Sequence, residues 1–364
     1  MKGRLILSDG TVFLGESFGS KLTTSGEVVF NTGMVGYPEA LTDPSYFGQI
    51  LTLTYPLQGN YGVPDKNFWE SDRIQIKGLI VQNYIDHPSH FENQRTLGEW
   101  LKQEGIPALA GIDTRELTIK LREHGVMLGR IEIESRVKSQ ESRNEKIRFL
   151  TLATSHSIYD PNQENLLPFV STDKVLTYGE GRKHIILIDC GAKENIIRSL
   201  VKRRVKVTRV PWDFNLPAAK MDFDGVLISP GPGDPKMAKA TINTVKALLK
   251  ANIPIFGICL GSQILALASG GNTYKLKFGH RGQNQPVMDQ TSKKAIITSQ
   301  NHGFAVDIKS LSSDWKEWFV NLNDKTNEGI RHKTKPLMSV QFHPEASPGP
   351  MEAGYLFDEF ISIL

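Results

Sequence analysis

Pro254-Ile255-Phe256-Gly257-Ile258-Cys259-Leu260-Gly261-Ser262-Gln263-Ile264-Leu265-Ala266 places a cysteine where an apolar strand runs into an apolar helix, with glycines two positions to either side. A small-residue turn at such a junction holds a side chain exposed above a sheet edge in a strained elbow, the geometry used by Ser and Cys nucleophiles. The thiol also stands at the positive end of the helix, which favours the thiolate. A cysteine among Ile and Leu is ordinarily a small buried hydrophobe. A plain core strand, however, has no use for Gly257 and Gly261 beside it. Cys259 is therefore read as a nucleophile.

A nucleophile needs a base, and the base needs a group to orient it. Nine histidines are present, so context must choose among them. In Leu337-Met338-Ser339-Val340-Gln341-Phe342-His343-Pro344-Glu345 an apolar run reads as a buried strand. His343 falls at its carboxyl end, where open α/β sheets bind ligands. Glu345 lies two positions on, on the same side of an extended backbone, and Pro344 disfavours helix at His343. Cys259, His343 and Glu345 form the expected triad.

The surrounding pattern is strand–helix alternation. Lys183–Asp189, Val205–Val210 and Asp224–Ser229 read as strands. Helices are expected over Glu194–Val201 and from about Lys236 to Lys250. Such alternation predicts a mostly parallel sheet covered on both faces. Pro230-Gly231-Pro232-Gly233-Asp234-Pro235 then lands on the carboxyl edge beside Cys259. Its glycines let backbone N–H groups approach a ligand and, with the N–H of Leu260, could form an oxyanion hole. Its composition fits a plain turn equally well.

Three motifs, Gly257–Gln263, the Pro-Gly-Pro-Gly-Asp-Pro loop and His343-Pro344-Glu345, together resemble the class I (triad) glutamine amidotransferases. Gly33–Tyr46, Leu53-Thr54-Tyr55-Pro56, Gly111-Ile112-Asp113-Thr114-Arg115 and Gln300-Asn301-His302-Gly303-Phe304 narrow the likeness to carbamoyl-phosphate synthase small chains. The resemblance covers nearly the whole chain and breaks mainly between about Glu132 and Thr177. It implies an α/β protein with a C-terminal class I amidotransferase domain, residues 183–364. A smaller N-terminal α/β domain over residues 1–133 and a linker region over 134–182 complete the expected organisation.

The resemblance also implies a glutaminase subunit. Cys259 would attack the side-chain amide of L-glutamine to form a glutamyl thioester, with His343 as base and Glu345 orienting it. By family likeness the substrate contacts map to Ser45, Gly231, Gly233, Leu260, Gln263, Asn301, Gly303 and Phe304, with Ser45 expected from the other domain. Lys193 matches a position that links the domains. Many relatives carry His where this chain has Ser262, a change expected to alter helix polarity without removing catalysis. Cys190 is expected to be structural. The implied partner is a large synthetase subunit in a heterodimer or higher oligomer, which would hold the ATP and Mg. No Gly-x4-Gly-Lys-Ser/Thr loop and no metal-ligand cluster is legible in this chain, so no cofactor or metal is expected in it. The implied pathways are pyrimidine and arginine synthesis. The alternatives are a non-catalytic partner of the same fold, or an amidotransferase subunit serving another synthetase.

Composition narrows the setting. The 364 residues suffice for two domains with substantial cores. Two cysteines argue against a disulfide scaffold and for a reducing compartment, hence a cytoplasmic enzyme. No apolar run approaches the roughly 18 residues of a membrane helix, and Leu5-Ile6-Leu7 is too short for a signal-peptide core. The formal charge of +4 is small for this length and gives no nucleic-acid footprint. In the N-terminal part the reading is an opening hairpin around Ser8-Asp9-Gly10, short strands at Val28–Phe30, Ile50–Thr54 and Ile74–Val81, and helices at Gln94–Glu104 and Arg115–Glu123. The polar stretch Glu134–Lys146 reads as a solvated helix or a mobile link.

Overall fold

The computed structural model describes residues 1–134 and 158–364. Beyond Glu134, the segment expected to be a solvated helix or link lies outside the described residues. The chain divides into two compact units. The first comprises Met1–Phe30, Gly48–Pro64 and Ile76–Pro161; the second comprises Asn31–Phe47, Asp65–Gln75 and Asn162–Leu364.

The first unit is built on a closed barrel, a topology that the residue pattern left open. Around its wall run Lys2–Leu7, Val12–Ser17, Ala108–Ala110, Gly78–Ile80, Gln49–Leu53, Thr24–Asn31 and Met127–Ile133. The opening hairpin forms as expected: Leu5 pairs Phe13, and Gly10 takes the positive φ of 87° that the turn requires. Alternation puts Leu5, Leu7 and Phe13 inside. Gln49–Leu53, Gly78–Ile80 and Ala108–Ala110 pair in parallel and are almost wholly buried, which is why they read as apolar runs without alternation. Two helices flank the barrel strands in sequence. Leu97–Gln103 starts with a capping box between Thr96 and Glu99, and Thr114–His124 is capped by Asp113.

The second unit carries a ten-stranded sheet. In spatial order its strands are Leu176–Tyr178, Val205–Pro211, Lys183–Asp189, Gly225–Ile228, Ile255–Ile258, Leu337–Val340, Asn327–His332, Trp315–Asn321, Asn272–Asp289 and Ala295–Asp307. The five strands from Val205–Pro211 to Leu337–Val340 are mutually parallel, and antiparallel strands extend both edges. Along Lys183–Asp189 the side chains alternate between faces. Ile185 and Leu187 pack with Ile196, Leu200, Phe357 and Phe360 on one side. Ile186 and Ile188 pack with Val245, Leu248, Ile264 and Leu265 on the other. The helices Glu194–Lys202 and Tyr355–Ser362 therefore cover one face, while Lys239–Leu248 and Leu260–Ala268 cover the other. Burial of both faces is what makes the parallel strands uniformly apolar.

Sequence reading puts Ser45 in the N-terminal domain. In the structure its segment, Asn31–Phe47, belongs to the C-terminal unit. The reason is local packing. A Cβ on Gly36 would stand 2.1 Å from Pro348 Cβ, and one on Gly191 would stand 3.2 Å from Pro44 Cβ. Asp65–Gln75 makes the same excursion.

Candidate active site

Cys259 follows the strand Ile255–Ile258 and precedes the helix Leu260–Ala268, with φ 53° and ψ −106°. A non-glycine residue at positive φ is strained, and such strain concentrates at functional sites. The flanking glycines are needed for contact. A Cβ on Gly257 would lie 2.5 Å from Gly261 O, and one on Gly261 would lie 2.1 Å from Ile228 O. Only glycine lets the helix start press this closely onto the strands. Cys259 is 2% exposed, and its Sγ lies 3.6 Å from Asn301 O and 3.6 Å from Gln341 Nε2.

The base comes from the adjacent strand. Ile258 pairs Val340 in parallel register, so Cys259 and His343 emerge from neighbouring carboxyl ends. His343 is fixed through its backbone N–H to Ser299 O at 2.9 Å. Its Nδ1 lies 2.6 Å from Glu345 Oε1, and its buried Nε2 has no hydrogen-bond partner. Burial pushes the imidazole down, but the Glu345 carboxylate and Cys259 outweigh it and raise His343 to about 10. No hydrogen bond joins Nε2 to Sγ. Glu345 is held below the usual carboxylate range, because His343 and Lys193 together overcome its burial.

Lys193 stands behind Glu345. Its Nζ lies 3.4 Å from Glu345 Oε1 and donates to Ala346 O at 2.5 Å. Burial opposes its charge, yet Glu345, Glu70 and Asp43 keep the ammonium above its ordinary range. The order is then Cys259, His343, Glu345, Lys193.

Of the remaining expected residues, Asn301 touches the thiol through its carbonyl. Ser45 is 6% exposed, and its Oγ is buried without a partner. Its N–H bonds Asp43 Oδ1 at 2.9 Å, while Asn301 Nδ2 bonds Asp43 Oδ2 at 3.0 Å. Gln263 donates from Nε2 to Phe304 O at 2.9 Å and to Gln341 Oε1 at 3.0 Å. Phe304 O also accepts from His302 Nδ1 at 2.8 Å, so that carbonyl is already satisfied. Leu260 is the first residue of its helix, where a backbone N–H has no intrahelical acceptor. Gly231 sits against it: a Cβ there would meet Leu260 Cδ2 at 2.8 Å and Cys190 O at 2.1 Å. Gly233 takes φ 83°, which favours glycine. Gly303 lies beside the Arg281 guanidinium.

Ser262 is wholly buried and pairs its hydroxyl with Ser339 at 2.8 Å, so the small residue on the helix meets a small residue on the strand. Cys190 is buried, its thiol pushed up by burial and by Asp189, with only Thr241 Oγ1 at 3.9 Å. Neither cysteine is in a disulfide.

Several residues were not singled out by sequence reading. Gln341 touches the thiol. Asp43 joins Ser45 to Asn301. His280 and Glu328 form a buried pair at 3.1 Å, with Asp324 2.9 Å from the other imidazole nitrogen. His302 Nε2 lies 3.9 Å from Glu328 Oε1. Burial and His280 hold His302 well below the usual histidine range. Against its burial, Asp324 and Glu328 raise His280 to about 9. The polar Gln341 in an otherwise apolar run was the one visible signal. The others depend on contacts between segments distant in sequence.

The class-I glutamine amidotransferase family matches residues 186–363, and the carbamoyl-phosphate synthase small chain, CPSase domain, matches residues 5–131. The arginine-specific carbamoyl phosphate synthase small chain of Neurospora crassa is 48% identical over 98% of this chain and 78% of its own length. The mitochondrial carbamoyl-phosphate synthase [ammonia] of Aquarana catesbeiana is 47% identical over 99% of this chain, which spans only 24% of that protein. Among solved structures, a glutamine amidotransferase from Thermotoga maritima is 22% identical, covers 46% of this chain and 77% of its own, and has a TM-score of 0.36. With both halves matched in order and a small chain this similar over 98% of the present chain, the protein belongs to the carbamoyl-phosphate synthase small-chain family.

Proposed function

We propose that this chain is the glutamine-hydrolysing subunit of a carbamoyl-phosphate synthase and delivers ammonia to a large synthetase subunit. The observation that carries the reading is the His343 imidazole, anchored at Nδ1 by Glu345 with Nε2 left unpartnered near the strained Cys259. Relatives named for ammonia align over as much of the chain as those named small chain. Similarity alone therefore does not separate a glutaminase from a non-catalytic partner. The assembled Cys259, His343 and Glu345 favour the glutaminase.

Chemistry follows from the geometry. Cys259 Sγ attacks the side-chain carbonyl carbon of glutamine, and His343 Nε2 takes the thiol proton. The resulting oxyanion is held by the N–H groups of Leu260 and Gly231. Its collapse breaks the carbon–nitrogen bond, and His343 gives the proton to the departing ammonia. Water then adds to the thioester with His343 as base, and return of that proton to sulfur releases glutamate. The substrate's charged ends need partners when buried. Ser45 Oγ is an uncommitted donor, and Gln263, its Nε2 already engaged, offers Oε1 as an acceptor. Gly233, Asn301, Gly303 and the backbone of Phe304 line the remaining contacts.

ATP and Mg are assigned to the partner, with none held by this chain. The complex is a heterodimer or a higher oligomer, cytoplasmic, and its product feeds arginine and pyrimidine synthesis. Among the described residues no helix is long and apolar enough to cross a membrane. The test is Cys259→Ser in the complex with the large chain. Glutamine-dependent synthesis should fall by at least about a thousandfold while synthesis from added ammonium persists. Equal loss of both activities would favour a structural partner instead.

A further inference from the structure

Glu70 is fully buried and comes from a segment remote in sequence from the triad. Its main chain is anchored first. The Glu70 N–H bonds Thr42 Oγ1 at 2.9 Å, and its carbonyl accepts the N–H of Glu194 at 3.0 Å. The carboxylate then divides its work. Oε2 accepts the N–H of Asn195 at 3.0 Å; Oε1 accepts from Ser347 Oγ at 2.6 Å and from Arg198 Nη2 at 2.5 Å.

Two of these bonds cap the helix Glu194–Lys202 from outside. Its own N-cap residue, Lys193, makes no side-chain cap, because an ammonium has donors and no acceptor; that side chain turns instead to Glu345 and Ala346. A helix start leaves N–H groups without acceptors, and Glu70 supplies them. The capped end is the part that holds the triad acid: Asn195 Nδ2 donates to Glu345 O at 2.5 Å, beside Lys193.

The turn after the acid is strained. Ala346 and Ser347 both lie at positive φ, 54° and 51°. Such backbone persists only where its surroundings over-determine it. Lys193 grips Ala346, Asn195 grips Glu345 and Glu70 grips Ser347 directly.

We propose that Glu70 is a positioning residue for glutamine hydrolysis, one carboxylate that clamps the Glu345–Ser347 turn and the helix start supporting it. This rests on the glutaminase reading above. It acts through Glu345 on the orientation of His343. The groups that Glu70 bonds do not include Ser45, Gln263 or Gly303, so it acts on turnover and leaves glutamine binding alone.

The test is steady-state glutamine hydrolysis by Glu70→Gln in the complex with the large chain. The substitution keeps the size of the side chain but turns one acceptor oxygen into a donor. We expect kcat to fall about tenfold to a hundredfold, the scale of a misplaced catalytic group, with KM within about threefold. Ser347→Ala removes one bond of the same clamp; it should lower kcat in the same sense, and its effect in the double variant should be less than multiplicative. If Glu70→Gln does not fold, Ser347→Ala decides alone. A kcat within about twofold of wild type, or kcat and KM changing in equal proportion, overturns the proposal. A wild-type complex without Cys259-dependent glutaminase would instead sink the underlying reading.

Discussion

Cys259 donates its backbone N–H to Val340 O at 2.9 Å, a bond that ties the nucleophile's elbow to the last residue of the strand that leads to His343. Neighbouring strands stand about 4.8 Å apart, so this register alone brings Cys259 and His343 to one edge of the sheet.

Gly261→Ala tests the elbow. The added methyl would meet Ile228 O at 2.1 Å, a backbone atom that cannot swing aside. We expect a loss of about 3 kcal/mol or more, of the kind overpacking produces, with glutaminase falling in step. Thermal unfolding and rate measurements check this. A wild-type melting temperature would mean that the helix start is not so tightly seated.

Ser45→Ala separates binding from stability. The Ser45 hydroxyl is buried without a partner, and an unsatisfied buried hydroxyl costs about 1–3 kcal/mol. The alanine variant should therefore be as stable as wild type or more so, while KM for glutamine rises roughly tenfold or more and kcat changes less. A lower melting temperature with unchanged KM would assign Ser45 to the fold instead.

Gln341→Met removes the amide between Cys259 Sγ and Gln263 while keeping the side-chain length. Gln263 would lose one of two anchors. We expect kcat/KM to drop about tenfold, with both constants affected, as read from glutamine hydrolysis. An unchanged kcat/KM would make Gln341 a bystander.

His280→Gln addresses the buried charge cluster. His280 is raised from 6.5 to about 9, with Asp324 and Glu328 prevailing over burial. A folded-state pKa above the unfolded one stabilises below the unfolded value, so the contribution is whole below pH 6.5. It is lost as pH rises through about 9. Wild type should exceed the variant by about 2 kcal/mol at pH 6 and by little at pH 10. Urea unfolding at both values decides; a gap that does not narrow would exclude the charged pair.

Much of the site was legible because its motifs are local. Gly257 and Gly261 flag the elbow, since close backbone approach demands glycine at fixed offsets. Pro344 and Glu345 flag His343, since two residues of extended chain return to the same side. Strand–helix alternation announced the parallel core. Helix ends were legible where caps such as Asp113 sit beside them, whereas Ile74–Val81 shortened to the strand Gly78–Ile80.

What the residues determined unaided was the chemistry available: a thiol at a helix start, an imidazole at a strand end and a carboxylate two residues on. Tertiary structure alone decided which distant groups surround them. Glu70 and Asp43 are ordinary charged residues in the chain. They become site components only because folding removes them from water, and a buried charge must then find its partners wherever the packing places them.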